Sequence, residues 1–188
     1  MKPEEITQKL QELFDSNVQL RPPDSWQVET DKFRLLVLLS EDRSWLRVLI
    51  PIAPLSEAQP FLEQLMVANF DNTQETRYAL HENILWGVFQ HGLESLTVND
   101  FSATIQRLIA MGDRGLSDYF QQAIEAQIRQ IIKAAKMQGQ SLEATLQTLD
   151  RFYQEGIMGD MAQGPEYRQA TLAAWRYQLE RLWPEIEP

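Results

Sequence analysis

The spacing of hydrophobic positions changes from helical to strand-like within the first part of the chain. Apolar residues three and four positions apart predict a short amphipathic helix from Pro3 to Phe14. From Trp26 the period becomes two, in one segment from Phe33 to Leu39 and in a second from Leu46 to Ile52. These two segments predict a β-hairpin at the structural centre of the protein.

The sequence also indicates where the second strand of this hairpin ends and which faces of the hairpin are buried. Pro51 and Pro54 are expected to end its second strand, because proline cannot donate a hydrogen bond to a ladder. Leu36 and Leu38 place apolar side chains on the opposite face of the first strand as well. The sequence therefore predicts that part of the sheet is covered on both sides.

The middle of the chain predicts a helix followed by a second hairpin. A capping box at Ser56 begins a helix that ends near Ala68. Strands from Thr76 to Leu80 and from Ile84 to Gln90 are joined by the tight turn His81-Glu82-Asn83. The helix has an apolar stripe made of Phe61, Leu62, Leu65, Met66 and Phe70.

Helices fill the rest of the chain. Thr97 caps a helix, and Gly112 and Gly115 permit a bend before a long apolar stripe from Leu116 to Ile132. Gly139 ends that helix. The predicted fold class is α+β: an antiparallel sheet built from two hairpins packs against helices and is followed by a C-terminal helical extension.

We place the domain boundary near Gly139, so that residues 1–138 form the α+β domain and residues 139–188 form the extension. The stretch from Gly156 to Pro165 separates two apolar helices and is rich in glycine. We interpret the extension as a lid or partner arm. Its candidate partner-binding residues are Trp175, Leu179 and Trp183, because tryptophan is frequent in binding hot spots. Core packing of the tail is the alternative.

Composition narrows the possible partners. The formal net charge of −10 opposes binding to phosphate backbones and anionic lipid headgroups, so we expect neither a nucleic-acid partner nor membrane insertion. The chain has no cysteine, which excludes disulfides and thiolate sites. Its first residues lack the unbroken apolar stretch of a signal peptide, so a cytoplasmic location is expected.

The sequence offers little for catalysis. It has no phosphate-binding glycine loop, dinucleotide fingerprint, zinc-protease motif, nucleophile elbow or calcium loop. His81 and His91, the two histidines, fall at opposite ends of the second predicted hairpin and should not meet. We therefore predict no catalytic, cofactor-binding or metal-binding residues, no cofactor, and no enzyme activity.

Three stretches together resemble the class I type III secretion chaperones and the YbjN-like superfamily: Phe33 to Leu55, Phe61 to Phe70 and Tyr78 to Val88. The resemblance covers about residues 4 to 137, and the extension beyond them is similar to cyanobacterial members of that group. It implies a homodimer that holds client polypeptides on exposed apolar grooves.

Two functional hypotheses follow. The first is a non-catalytic protein-binding module, chaperone-like or acting as an assembly or regulatory factor, which forms a homodimer and binds a polypeptide partner. It requires exposed apolar surface. The alternative is a small-molecule sensor or enzyme with a pocket between the sheet and the tail helices, which requires a cavity with converging polar groups.

Overall fold

The computed structural model describes residues 1–154 and 165–187, and the chain divides into two compact units, Met1–Tyr119 and Phe120–Pro188. The division falls in the first turn of a helix that begins at Ser117. The predicted boundary at Gly139 lies further along the chain and stays a prediction about which part folds alone. The predicted glycine-rich break lies outside the described residues, apart from Pro165.

The first unit contains a sheet and the helices that cover it. Its elements in chain order are α1 Pro3–Phe14, β1 Val18–Arg21, β2 Ser25–Glu29, β3 Arg34–Leu39, β4 Trp45–Pro54, α2 Leu55–Ala58, α3 Leu62–Asp71, β5 Thr76–His81, β6 Ile84–Gly92 and α4 Val98–Arg114. The predicted α+β class is confirmed. The first helix and the cap at Thr97, whose side chain accepts the Asp100 N–H at 3.1 Å, are as predicted.

The sheet is antiparallel throughout and has six strands in the order β1-β2-β3-β4-β6-β5. Four of these strands are the two predicted hairpins. The sequence reading missed β1 and the pairing of β2 beside them. Strand β1 has only four residues, three of them exposed, so it shows no apolar alternation. Strand β2 buries Trp26 and Val28, so the alternation of buried and exposed residues that marks a strand extends over only these few positions.

Strand β4 ends at Pro54 as predicted, whereas the predicted end at Pro51 and the predicted cap at Ser56 are wrong. Strand β4 does not end at Pro51, because Pro51 lies beyond the last residue of β4 that pairs with β3, so its missing N–H leaves no bond unmade on that side. The register against β6 shifts between Pro51 and Ala53. Ser56 makes no side-chain cap: α2 begins at Leu55, and Pro60 then imposes a 3-10 turn before α3.

The core of the first unit lies on one face of the sheet. The predicted central residues Leu35, Val37, Val48 and Ile50 are buried there, and Phe33 packs against them partly exposed. The helices contribute further buried side chains to the same cluster: Ile6, Leu10, Ala58, Leu65, Ala68, Phe101, Ile105, Leu108 and Met111.

Ile50 makes the tightest contacts in this core. A Cβ atom placed on Gly112 of α4 would lie 2.7 Å from Ile50 Cδ1, and one placed on Gly87 of β6 would lie 2.9 Å from Ile50 Cγ2. Such distances are shorter than packed carbon atoms tolerate, so both positions need glycine. Gly112 therefore serves the close approach of α4 to the sheet. The predicted bend comes at Gly115, which ends the helix with φ of +54°.

The second unit has its own small core. Its helices are α5 Ser117–Met137, α6 Leu142–Gln154 and α7 Pro165–Leu182. Six aliphatic side chains pack together and are buried: Ile128, Ile132, Leu146, Leu149, Leu179 and Leu182. The predicted apolar stripe is thus divided, since Leu116 belongs to the core of the first unit whereas Ile128 and Ile132 belong to that of the second.

The contact between Ile50 and Gly112 can be tested by a double-mutant cycle. We expect Gly112→Ala to lower the free energy of unfolding by about 1–3 kcal/mol through overpacking, although alanine favours helix. Ile50→Val removes the clashing Cδ1, so the double variant should lose less than the sum of the single losses. Urea denaturation measures all three. Asp113→Ala is the control. If the losses of the two single variants simply add up in the double variant, the contact between Ile50 and Gly112 is contradicted.

Candidate protein-binding surfaces

The face of the sheet opposite the core, called here the outer face, carries a row of aliphatic side chains. The register places Leu36 of β3 opposite Leu49 of β4, and Leu49 opposite Val88 of β6, so the three lie side by side across the sheet. Leu38 lies in the next row beside Arg47. Neighbouring strands are about 4.8 Å apart, which makes this row continuous.

No helix of the first unit packs on the outer face. Leu36, Leu38, Leu49 and Val88 all lie outside the core cluster to which the helices contribute. Antiparallel sheets that expose one face to water normally place polar residues there. A central row of aliphatic residues, in which Leu36, Leu38 and Leu49 are half-buried and Val88 is buried, departs from that pattern and makes this face a candidate binding surface. The sequence prediction that part of the sheet is covered on both sides is not met within the first unit, where Leu36 and Leu38 lie on the outer face without a helix of that unit above them.

Tryptophan and arginine surround the aliphatic row. Trp45 and Trp86 are half-buried on the outer face, and the guanidinium of Arg47 lies over the Trp45 ring, 5.1 Å from its centroid. The Trp86 indole N–H donates to the carbonyl of His81 at 3.2 Å. Tryptophan and arginine are the residue types that contribute most to binding at protein interfaces.

A second apolar surface lies on α3 and is called here the α3 surface. Met66 and Val67 are 54% and 55% exposed, and Phe70 is 92% exposed. Leu80 of β5 is also exposed. The sequence prediction assigned Met66 and Phe70 to the same apolar stripe of this helix as Phe61 and Leu65. The structure divides that stripe: Phe61 and Leu65 pack into the core, whereas Met66 and Phe70 are exposed, because the apolar set is too broad for one helix face.

The edge of the sheet beside the α3 surface is closed by side-chain and turn hydrogen bonds. The Tyr78 N–H donates to Asn69 Oδ1 at 2.7 Å, and Asn69 Nδ2 donates to the Tyr78 carbonyl at 3.1 Å. The Thr76 N–H donates to the Thr73 carbonyl at 3.0 Å. These bonds occupy backbone groups with which a further strand would pair. Apolar side chains, rather than strand addition, are what this region offers a partner.

The predicted partner-binding residues Trp175, Leu179 and Trp183 all lie in the second unit. Leu179 is fully buried in its core, and both tryptophans are half-buried against that core. The Lys136 ammonium donates to the carbonyls of Trp183 and Ile186 at 2.7 and 2.6 Å. Binding through Leu179 would require its helix to leave the core, and the role of these three residues stays a prediction.

Titratable groups give no sign of a reaction centre in the described part of the chain. His81 is exposed, and His91 stacks on Phe89 with ring centroids 5.7 Å apart. Hydrogen bonds from the Ser40 hydroxyl and from Ser44 lower the pKa of Asp42 to about 2, which stabilises the turn between β3 and β4. Among the described residues, no group of three or more potential ligands could hold a metal ion.

No helix in the described part of the chain combines the length and the apolar character that crossing a membrane requires. In the second unit, two surface pockets of about 340 Å³ each have linings of mixed polar and aliphatic side chains, one beside Gln121 and Arg181 and the other beside Glu143 and Arg176. Neither pocket has the deep apolar form of a small-molecule site.

The Asn69 hydrogen bonds lead to a prediction about the sheet edge. Asn69→Ala leaves the N–H and carbonyl of Tyr78 without their partner, so we expect a loss of about 1–3 kcal/mol in the free energy of unfolding and faster aggregation through the opened edge. Asn69→Asp keeps the acceptor for the N–H and should lose less. Thermal unfolding and light scattering measure both effects. Equal behaviour of Asn69→Ala and the unchanged protein would refute the role.

Comparison with known proteins gives structural similarity alone. No family profile matches the sequence, and no curated protein matches it. Among the solved structures with similar chains is the ExsC–ExsE complex, at 15% identity and a TM-score of 0.49 over 59% of this chain and 87% of that chain. Another is the Yersinia pestis type III secretion chaperone SycH with a stable fragment of YscM2, at 13% identity and a TM-score of 0.49 over 60% of this chain and 98% of that chain. A further one is the ExoU–SpcU heterodimer of the Pseudomonas aeruginosa type III secretion system, at 14% identity and a TM-score of 0.47 over 60% of this chain and 95% of that chain. Type III secretion chaperones are thus among the structural neighbours of this chain, as the resemblance in the sequence led us to expect.

Proposed function

We propose that this chain is a non-catalytic, chaperone-like protein that binds a polypeptide and acts as a homodimer. The observation that carries the proposal is the outer face, where Leu36, Leu49 and Val88 form an aliphatic row that no element of the first unit covers. Val88 is only 6% exposed and Leu36 and Leu49 are half-buried, so a polypeptide that places apolar side chains on this row removes the remaining exposed area of Leu36 and Leu49 from water. Each square ångström of apolar surface so buried contributes about 25 cal/mol.

We assign the α3 surface to a second copy of the chain. In a two-fold symmetric dimer every contact occurs twice, so a few side chains on each copy have a doubled effect. Fully burying an exposed apolar side chain contributes about 1.5–3 kcal/mol. For Met66, Val67, Phe70 and Leu80 on two copies the gain is on the order of 10 kcal/mol, comparable with the roughly 4–15 kcal/mol that association costs. Phe70, the most exposed, dominates that sum.

The homodimer can be tested by removing this side chain. We expect the unchanged protein to have a mass about twice 21.9 kDa in multi-angle light scattering, and Phe70→Ser to have the mass of one chain with unchanged secondary structure. Phe70 contributes little to the core, so its loss should not unfold the protein. Tyr177→Ser is the matched control, because Tyr177 is a 65% exposed aromatic residue of the second unit.

The homodimer would be disproved by a single-chain mass for the unchanged protein over a wide range of concentrations. Equal dissociation of the Phe70→Ser and Tyr177→Ser variants would disprove the assignment of the dimer to the α3 surface.

Binding of a polypeptide can be tested on the outer face. We expect the double variant Leu36→Thr and Leu49→Thr to bind a permanently unfolded test polypeptide at least about tenfold more weakly, since it loses the centre of the aliphatic row. Threonine keeps strand propensity, so folding, checked by circular dichroism, should persist. The control is Leu20→Thr at an exposed position of β1. Unchanged affinity in the double variant would rule out this surface.

A further inference from the structure

We propose that the outer face selects polypeptide segments that combine apolar residues with aspartate or glutamate. The inference rests on the proposed function and adds the chemistry of the partner. Apolar side chains of the segment lie on the row formed by Leu36, Leu49 and Val88, and its carboxylates bind the guanidinium groups of Arg47 and Arg77.

The charge of the outer face is opposite to that of the whole chain. The chain has a net charge of −10. The strand register places four arginines on the outer face, Arg21, Arg34, Arg47 and Arg77, against one acidic residue, Glu29. Glu29 is already paired with Arg34. A surface of net positive charge on an acidic protein attracts an acidic ligand locally, although the molecule as a whole repels it.

Arg47 and Arg77 have no carboxylate partner in the described part of the chain. Arg47 lies over Trp45, and Arg77 donates from Nη2 to Gln90 Oε1 at 3.3 Å. By contrast, Arg43 and Arg107 of the same unit are each paired with a carboxylate, on Asp24 and Glu75 respectively. The planar guanidinium binds carboxylates through two parallel hydrogen bonds, so Arg47 and Arg77 keep this capacity for a ligand.

The register places the two arginines against the aliphatic row. Arg77 pairs with Val88 and therefore stands at one end of the row. Arg47 lies next to Leu38, two positions from Leu49 on the same strand and face. A bound segment that covers the row therefore passes both guanidinium groups. Stacking on Trp45 also holds Arg47 in place, which reduces the entropy lost on binding.

A nucleic acid fits this surface less well than an acidic polypeptide does. Single-stranded nucleic acids gain their binding energy from bases stacked on open aromatic rings and from phosphates along a basic groove. Arg47 occupies a face of Trp45, Trp86 lies half-buried in the next row beside Pro51 and Ala79, and the centre of the outer face is aliphatic. Leucine and valine offer no ring on which a base can stack, whereas they suit the apolar side of an amphipathic segment.

The test compares labelled probes by fluorescence anisotropy with the full-length protein. One probe is an amphipathic peptide of leucine and glutamate, the second has lysine in place of glutamate, and the third is single-stranded oligouridine. The protein's net charge alone would favour the lysine peptide, so preference for the glutamate peptide isolates the outer face. We expect Arg47→Glu and Arg77→Glu each to weaken binding of the glutamate peptide by about tenfold or more.

The matched control is Lys133→Glu, the same charge reversal at an exposed position of the second unit. Arg77→Gln, which removes the charge without reversing it, covers the case in which a reversal disturbs folding. Lys133→Glu should leave binding unchanged, and added salt should weaken the binding of the glutamate peptide.

Other outcomes overturn the inference. Tighter binding of the lysine peptide would show that net charge governs binding, and binding of oligouridine alone would identify a nucleic-acid surface. A fall to single-chain mass in Arg47→Glu would show that a second copy occupies the outer face. Binding of both peptides with equal affinity, lost only in the variant with threonine at positions 36 and 49, would preserve the proposed function while refuting the acidic preference.

Discussion

Ile50 is held between two glycines, and the architecture of the first unit follows from that contact. Because Gly87 and Gly112 have no side chain, helix α4 lies directly against the centre of the sheet at Ile50. The buried side chains of the helices all join the same cluster on that face of the sheet. The price of such one-sided packing is an outer face on which Leu36, Leu49 and Val88 remain without a helix above them.

The two candidate binding surfaces of the first unit differ in chemistry, which is why we assign them different occupants. The α3 surface is formed by apolar side chains and contains no arginine or tryptophan, and it adjoins a strand edge whose backbone groups are already bonded by Asn69 and Thr73. We therefore assign the α3 surface to self-association through side chains. The outer face combines aliphatic residues with tryptophan and arginine, so it can distinguish partners by charge as well as by apolar surface.

Much of this fold follows from the spacing of residues, whereas the binding surfaces follow from pairing between distant strands. Alternation of apolar residues predicted β3, β4, β5 and β6, and the cap at Thr97 marked the start of α4, whereas the cap expected at Ser56 does not form. No local pattern shows that Leu36, Leu49 and Val88 share a row, or that Arg47 and Arg77 flank it, because the register of non-adjacent strands joins them. The exposure of Phe70 was also hidden, since helical spacing cannot tell which apolar residues exceed the available core.

The central claim, that the outer face is where a polypeptide binds, is tested most directly by methyl NMR spectroscopy of the full-length protein during titration with the unfolded test polypeptide. We expect the methyl resonances of Leu36, Leu38, Leu49 and Val88 to shift or broaden together at saturating ligand, while those of the buried Leu35 and Val37 change little. Shifts confined to Leu179 and Leu182 of the second unit, with the outer-face methyls unaffected, would contradict the account.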